Sequence, residues 1–500
     1  MSAAIDPALA ALTPEQLVAS GTTLRRAYIE ASPGSGKTTV AAQRFGYHRY
    51  ITQPADDTGA NGRAVVAVSF TRSATWELRQ RIRQSWGPSA LQWPHRVVTL
   101  DTLIYSLLEY LLETGQVRWP GGHRRLEVRD SWKAIADHDW IRGTAGLNFD
   151  GTNVTVWTGY DRRSAQRANP QQYSAAIRAG ICTHEEVRTV LGLALGRPNI
   201  AESLTWRLAT TVCALIVDEI FDANRLDIAV IERAAGVCPV TVVGDPWQAL
   251  YSFRGARPDA IPGMLQRTRM VRLPLEASFR WRSEEQRQLA DSLRRGEGVT
   301  PLGGSEDDVN VVLACQWRQL WDVGAHILPL AYGSARGNTP EAAATLLLNQ
   351  LTRTVLGESA TYLSDALARL GISDLDAPRR LEPALQQVLE TLTSGGRAAL
   401  NTAYQSLVRA VRSESRREFP APHWRYTERL DVLRSRLAYS GQLVAGMTVH
   451  QAKGREWDHV GVRLSEEERA TLAAGLRVDN ERHRQLYVAC TRAQFSTTSV

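Results

Sequence analysis

Short runs of Val, Ile, Ala and Leu recur along the chain, each followed by a stretch of helical periodicity. Ala64–Phe70, Ala214–Val217 and Val240–Val243 are such runs. A brief apolar run with few polar alternates predicts a strand buried on both faces. Strands alternating with helical stretches predict a parallel sheet with crossover helices, an α/β fold. Two stretches break the alternation. Residues 106–205 read as mixed helix and loop rich in Trp, Arg and Gly, and residues 351–440 read as amphipathic helices with Arg-rich faces. Both are expected to be insertions into a core sheet. Gly303, Gly304, Ser305 and the acidic run Glu306–Asp308 predict a loop ahead of a strand-like Val309–Leu313. At roughly 150 residues per domain, 500 residues suggest three or four units.

Composition narrows the class. The chain is 43% hydrophobic and 22% charged, ordinary for a soluble globular protein. No apolar run approaches the ~18 residues needed to cross a bilayer, so no membrane association is expected. Met1–Ser20 lacks a basic leader followed by an apolar stretch, and a cytoplasmic protein is expected. Cys182, Cys213, Cys238, Cys315 and Cys490 show no paired or metal-ligand spacing and read as buried thiols in a reducing compartment. Net charge is +7, which fits a polyanionic partner or a modestly basic protein without one. Only three lysines, Lys37, Lys133 and Lys453, stand against 56 arginines. A lysine retained in such a chain suggests a need for a compact ammonium.

Two segments carry phosphate chemistry. Ala31, Ser32, Pro33, Gly34, Ser35, Gly36, Lys37 and Thr38 form a Walker A loop with Ala at its first position, followed by a helical run from Thr39. Its glycines let backbone N–H groups face phosphate oxygens, and the helix that follows presents its positive end to the same anion. Lys37 is expected on the β- and γ-phosphates of ATP, and the Thr38 hydroxyl on Mg²⁺. Leu215–Val217 runs into Asp218 and Glu219. Acids at the carboxyl end of a parallel strand face the ligand crevice, so Asp218 suits the Mg²⁺ shell and Glu219 the attacking water.

Further segments, in order, resemble the motifs of UvrD/Rep-like superfamily 1A helicases. Leu12–Gln16 resembles the Q motif, Val68–Ala74 with Glu77, Arg81 and Ile82 motif Ia, and Thr99–Leu103 a divergent motif Ib. Val243–Ala256 is very similar to motif III, Leu275–Arg280 to motif IV, Met447–Trp457 to motif V and Leu486–Ala493 to motif VI. The resemblance covers about two-thirds of the chain and omits both insertions.

The resemblance implies two RecA-like motor domains with ATP in the cleft between them. The first would be 1–105 with 206–274, interrupted by insertion 1B at 106–205. The second would be 275–350 with 441–500, interrupted by a reduced insertion 2B at 351–440. Gln16 would pair with adenine, Phe279 would stack on it, and Glu456 would bind the ribose. Thr39 would belong to the nucleotide site. Gln248 would sense the γ-phosphate, while Arg280 and Arg492 would reach across from the second domain as arginine fingers. Phe70, Tyr251 and Phe253 would stack on bases, and Thr71, Arg72, Thr99, Arg254, Thr448 and His450 would touch the sugar–phosphate backbone. Lys453 is either a backbone contact or a loop-stabilising donor.

Two departures stand out. Phe221 occupies a position where the family usually has Gln, which puts coupling of hydrolysis to domain closure in doubt. Asp101-Thr102 replace the favoured His-Ser, setting an acid near the DNA track. The implied function is an ATP-driven 3′-to-5′ translocase or helicase on single-stranded or 3′-tailed DNA. The short second insertion suggests weak unaided unwinding, and a chain stopping just after motif VI is expected to leave no room for a C-terminal nuclease or a tail. At this length the layout also resembles the helicase-like subunit of Gabija anti-phage systems. That would make it a DNA-end-sensing ATPase that activates a partner nuclease. Monomer and subunit of a hetero-complex both stay open, as do repair and defence roles. A module that binds nucleotide without turnover is the reading from another class, disfavoured by the intact Lys37, Asp218, Glu219, Arg280 and Arg492 set.

Overall fold

Val, Ile and Ala dominate the runs identified above, and each folds as a strand with both faces covered. A computed structural model describes residues 12–51, 62–130, 132, 145–158, 170–300, 308–333, 338–374 and 376–500. Lys133 and residues 303–307 of the expected loop lie outside these residues. The described residues fall into two compact units, one mainly up to Arg280 and the other mainly from Trp281 onward.

The strands of the first unit are β1 (Arg26–Ala31), β2 (Ala64–Ser69), β3 (Arg96–Thr99), β4 (Glu127–Arg129), β5 (Ala145–Phe149), β6 (Val154–Thr158), β7 (Ile181–Thr183), β8 (Val212–Val217), β9 (Val240–Gly244) and β10 (Val271–Leu275). Six of them form a sheet in the order β10-β1-β9-β8-β2-β3, and every pairing is parallel. Strands β2 and β8 are buried at all six positions, as a parallel sheet covered on both faces requires. The α/β expectation therefore holds, and the three expected runs are β2, β8 and β9.

Four helices position the chemistry. They are α1 (Pro14–Gly21), α2 (Lys37–Gly46), α3 (Arg72–Trp86) and α4 (Leu100–Glu113). Helix α1 starts on a full capping box, Thr13 with Gln16. Thr71 caps α3 and Thr99 caps α4, each by accepting a backbone N–H. The first insertion contributes two small β pairs, β4 with β7 and β5 with β6, and helix α5 (His184–Leu195). Arg188 of α5 ties it to two other helices of the unit. That guanidinium donates to Asp101 on α4 and to Asp227 on α6 (Arg225–Val237), each at 2.7 Å.

The second unit has β11 (Val311–Ala314), β12 (Ile327–Pro329), β13 (Val444–Thr448), β14 (Trp457–Val462) and β15 (Ala493–Ser499). They form a parallel sheet ordered β12-β13-β11-β14-β15. Between β12 and β13 lie α7 (Thr339–Leu356), α8 (Leu363–Leu370), α9 (Ala377–Gly395), α10 (Leu400–Arg412) and α11 (Trp424–Leu437). Helix α7 runs across the position 350 at which the sequence pattern changes. Its buried leucines join those of α9 and α10 and Leu328 of β12 in one apolar cluster, so the inserted helices share a core with the sheet. Among the described residues, no helix is long and apolar enough to cross a membrane.

Two buried histidines of the first unit must stay neutral. His95 Nδ1 accepts the Val65 N–H at 3.0 Å, at the point where the β2–β8 register shifts. Burial first, then the Arg49 charge, holds its pKa down at about 4. Burial and the adjoining Arg44 guanidinium hold His48 down at about 3. Unfolded histidines take up protons near pH 6.5, so between the two values the unfolded chain binds more protons. Stability from these groups is complete above that range and declines as pH falls, by about 1.4 kcal/mol per pH unit for each histidine. The unfolding midpoint, followed by circular dichroism, is expected to fall steadily from pH 7 to 4.5, with a shallower slope in His95→Gln; identical slopes would contradict this. Arg188→Ala strands Asp227, only 2% exposed at its side chain, and is expected to lose about 3–5 kcal/mol in denaturant unfolding.

Candidate nucleotide and nucleic-acid sites

The chain leaves β1 at Ala31 and enters α2 at Lys37, and the connection, Ser32–Gly36, turns on Gly34 and Gly36, both left-handed at φ +74° and +82°. Neither position has room for a side chain. A Cβ on Gly34 would lie 2.6 Å from the Arg280 Cβ, and one on Gly36 would lie 2.6 Å from Gln16 Nε2. The loop is held by its own chain. Gln16 Nε2 donates to the Ser35 carbonyl at 2.9 Å, the Ser278 hydroxyl to the Pro33 carbonyl at 2.7 Å, and the Phe279 N–H to the Gly34 carbonyl at 3.0 Å. Ser35 is itself buried, with a hydroxyl that has no hydrogen-bond partner among the described residues. Thr38 and Thr39 follow Lys37 in the first turn of α2, and Thr39 Oγ1 accepts a bond from Arg81 at 3.0 Å.

Asp218 and Glu219 follow β8 directly. Strand β9 lies between β8 and β1, so the acids and the glycine loop share the carboxyl end of one sheet. Asp218 is 3% exposed. Burial, then the neighbouring Glu219 charge, pushes its carboxyl up to about 7, while Lys37 opposes the shift. Glu219 is a non-glycine residue in the left-handed region, φ +59° and ψ +44°. That conformation costs on the order of 1–3 kcal/mol and is kept only where surrounding structure enforces it. It sets Glu219 Oε1 3.9 Å from Lys37 Nζ. Gln248 is buried, with its amide donating to Asp245 Oδ2 at 2.9 Å.

The structure thus gathers Gln16, Ala31–Thr39, Asp218, Glu219, Phe279 and Arg280 within the first unit. For Arg280 this differs from the expectation, which put it on the second domain. The chain leaving β10 doubles back over the loop, and the Ser278 and Phe279 bonds fix its course there. Gln16 spends its amide nitrogen on Ser35 and its oxygen on the Thr13 N–H, a loop-bracing arrangement. The Phe279 ring is 58% exposed beside the loop.

Glu456 and Arg492 belong to the second unit. Gln494 donates to Glu456 at 3.1 Å. Arg492 is fully buried, its guanidinium donating to the Val488 carbonyl at 3.2 Å and the Arg455 carbonyl at 3.5 Å. Thr448 ends β13 and pairs with Gln451 in a capping box, next to His450 and Lys453 on the following turn.

The aromatic candidates separate by exposure. Phe253 is 65% exposed, and its ring lies 5.9 Å from Tyr251, with Arg254 over both rings at 5.6 and 5.2 Å. An arginine interleaved with exposed rings suits stacking on bases next to phosphate. Phe70 and Tyr251 are half-buried. Thr71 and Thr99 commit their hydroxyls to helix caps. Arg72 forms an exposed ion pair with Asp130 at 2.6 Å, worth little and readily exchanged. The acid in motif Ib is no bare charge, because Arg188 neutralises Asp101. Sequence reasoning missed Arg188 and Ser278. Ser278 lies inside the motif IV segment and was within reach, whereas Arg188 sits in the insertion, where no motif points to it.

A family model described as the UvrD/REP helicase N-terminal domain matches residues 12–155 and 187–268. DNA helicase II of Escherichia coli is 24% identical over 254 residues, which are 47% of this chain and 33% of that protein. DNA helicase II of Salmonella typhimurium shows the same identity and coverage. A probable DNA helicase of Mycoplasma pneumoniae is 22% identical over 249 residues, 46% of this chain and 45% of that protein. The chain thus matches between a third and somewhat under a half of the length of these relatives. The mixed α/β architecture with two parallel sheets is consistent with the two-RecA-domain fold of such helicases. The matched region of this chain, somewhat under half of it, is similar to the N-terminal domain of UvrD-like helicases.

Proposed function

We propose that this protein hydrolyses ATP to move 3′ to 5′ along single-stranded DNA. The observation that carries the reading is the placement of Lys37 3.9 Å from a left-handed Glu219, at the carboxyl end of the sheet that also bears the glycine loop. Lys37 would bind the phosphates as a point charge. Glu219 would orient and deprotonate the attacking water. Mg²⁺, which neutralises charge in phosphoryl transfer, fits Thr38 and Asp218. Both offer hard oxygens, and a buried Asp218 beside a second carboxylate favours a divalent cation over two bare charges. Phe279 offers an exposed ring for the base of the nucleotide. Phe253, with Tyr251 and Arg254, supports a single-stranded nucleic-acid track read by stacking, with little sequence preference.

Glu219→Gln is expected to lower kcat by at least about 10²-fold, with nucleotide binding kept, in a phosphate-release assay with and without single-stranded DNA. Phe253→Ala is expected to weaken oligonucleotide binding by about 1–3 kcal/mol in a fluorescence titration, and by similar amounts for different sequences. A 3′-to-5′ motor runs toward 5′ ends, so it should displace streptavidin from a 5′-biotinylated strand. Displacement only from 3′ ends would overturn the direction. DNA-stimulated hydrolysis with no movement would shift the reading to an ATPase that works with a nuclease partner.

A further inference from the structure

Phe221 stands where superfamily 1A relatives usually carry a polar glutamine, and it is buried, 6% exposed. It belongs to a one-turn 3₁₀ helix, Ile220–Asp222, that begins immediately after the left-handed Glu219. Ile220 is fully buried beside it. Both side chains rest on the end of β9 at Gly244, where an added Cβ would lie 2.8 Å from Ile220 Cγ2 and 2.9 Å from Phe221 Cδ2. On its other side the Phe221 ring meets Tyr28 of β1 edge-on, centroids 6.2 Å apart. The turn closes with Asp222 N–H donating to the Glu219 carbonyl at 2.9 Å and Ala223 N–H to the Ile220 carbonyl at 3.0 Å.

Locally the Glu219 N–H donates to Asp218 Oδ1 at 3.0 Å, but a left-handed glutamate is strained and persists only where its flanks are held. The preceding residue is held against β2, since Asp218 N–H donates to the Val68 carbonyl at 2.9 Å. The following two are fixed by apolar burial against Gly244 and Tyr28. With both flanks held by these contacts, Glu219 takes up the change of direction between them. The seat would be lost with a side chain at residue 244, or with a small or polar residue at 221.

We propose that Phe221 is a positioning residue for the water-activating Glu219. Its ring, seated between Tyr28 and Gly244, keeps the glutamate left-handed with its carboxylate facing Lys37. The inference rests on the ATP-hydrolysis reading for its catalytic consequence, but its structural content can be tested separately.

The test uses the full-length protein with Phe221→Ala, Phe221→Leu and Phe221→Gln, alongside Glu219→Gln. Hydrogen exchange read at the Asp222 and Ala223 amides is expected to quicken by about tenfold in Phe221→Ala, with the α2 amides unchanged. Affinity for a labelled non-hydrolysable ATP analogue should stay within about twofold, while kcat falls by about tenfold with KM little changed. Phe221→Leu should restore most of both readouts, and Phe221→Gln should not. If the alanine variant does not fold, the leucine–glutamine comparison decides. Unchanged exchange at residues 222 and 223, or unchanged kcat in a variant with fast exchange there, would overturn the proposal. If the wild-type protein does not hydrolyse ATP with or without DNA, the functional reading fails, and the exchange data still decide whether Phe221 holds the turn.

Discussion

The glycine loop of this protein is gripped by its own chain from two directions. The carbonyls of Pro33, Gly34 and Ser35 are engaged in turn by Ser278, the Phe279 N–H and Gln16. An anion is repelled by carbonyl oxygens and attracted by N–H groups, so engaging three consecutive carbonyls with internal donors removes much of the repulsion a phosphate would meet. The helix before β1 and the segment after β10 lie far apart in sequence, yet both hold this one loop. The rest of the first unit serves the same end, because the parallel sheet brings β10, β1, β9 and β8 to a common edge.

Electrostatics at that edge follow from burial. Asp218 and Glu219 are adjacent acids opposed by one lysine, and burial shifts Asp218 towards its neutral form. Elsewhere in the unit, buried charge is matched more closely. Arg188 reaches from the insertion to bind Asp101 and Asp227 together. An acid at the start of the motif Ib helix is thus a structural contact that joins three helices, and what reads as a departure in sequence is compensated in space.

Much of the architecture was legible from residue order alone. Buried parallel strands cannot alternate polar and apolar residues, so β2, β8 and β9 announced themselves as unbroken apolar runs. The Walker loop was legible because glycine spacing and a following helix are local features. The roles that depend on distant neighbours were not. Nothing near Gln16 shows that its amide reaches Ser35, and nothing near Arg280 shows that the chain after β10 folds back over Gly34. The boundary of the second insertion was similarly hidden, because α7 keeps one helical period across it and its leucines join the core of the sheet. Phe221 was noticed as a departure, but its contacts with Tyr28 and Gly244 exist only once three strands lie side by side.

Gly34 carries a consequence of a different kind. Its backbone is left-handed, and the space a side chain would need is already taken by Arg280 Cβ and Ser278 Oγ, 2.6 and 2.8 Å from where a Cβ would sit. Two segments separated by more than 240 residues therefore form one unit of change. A substitution in either must be accommodated by the other, and any rearrangement of the chain that moved the segment after β10 would have to carry the glycine loop with it.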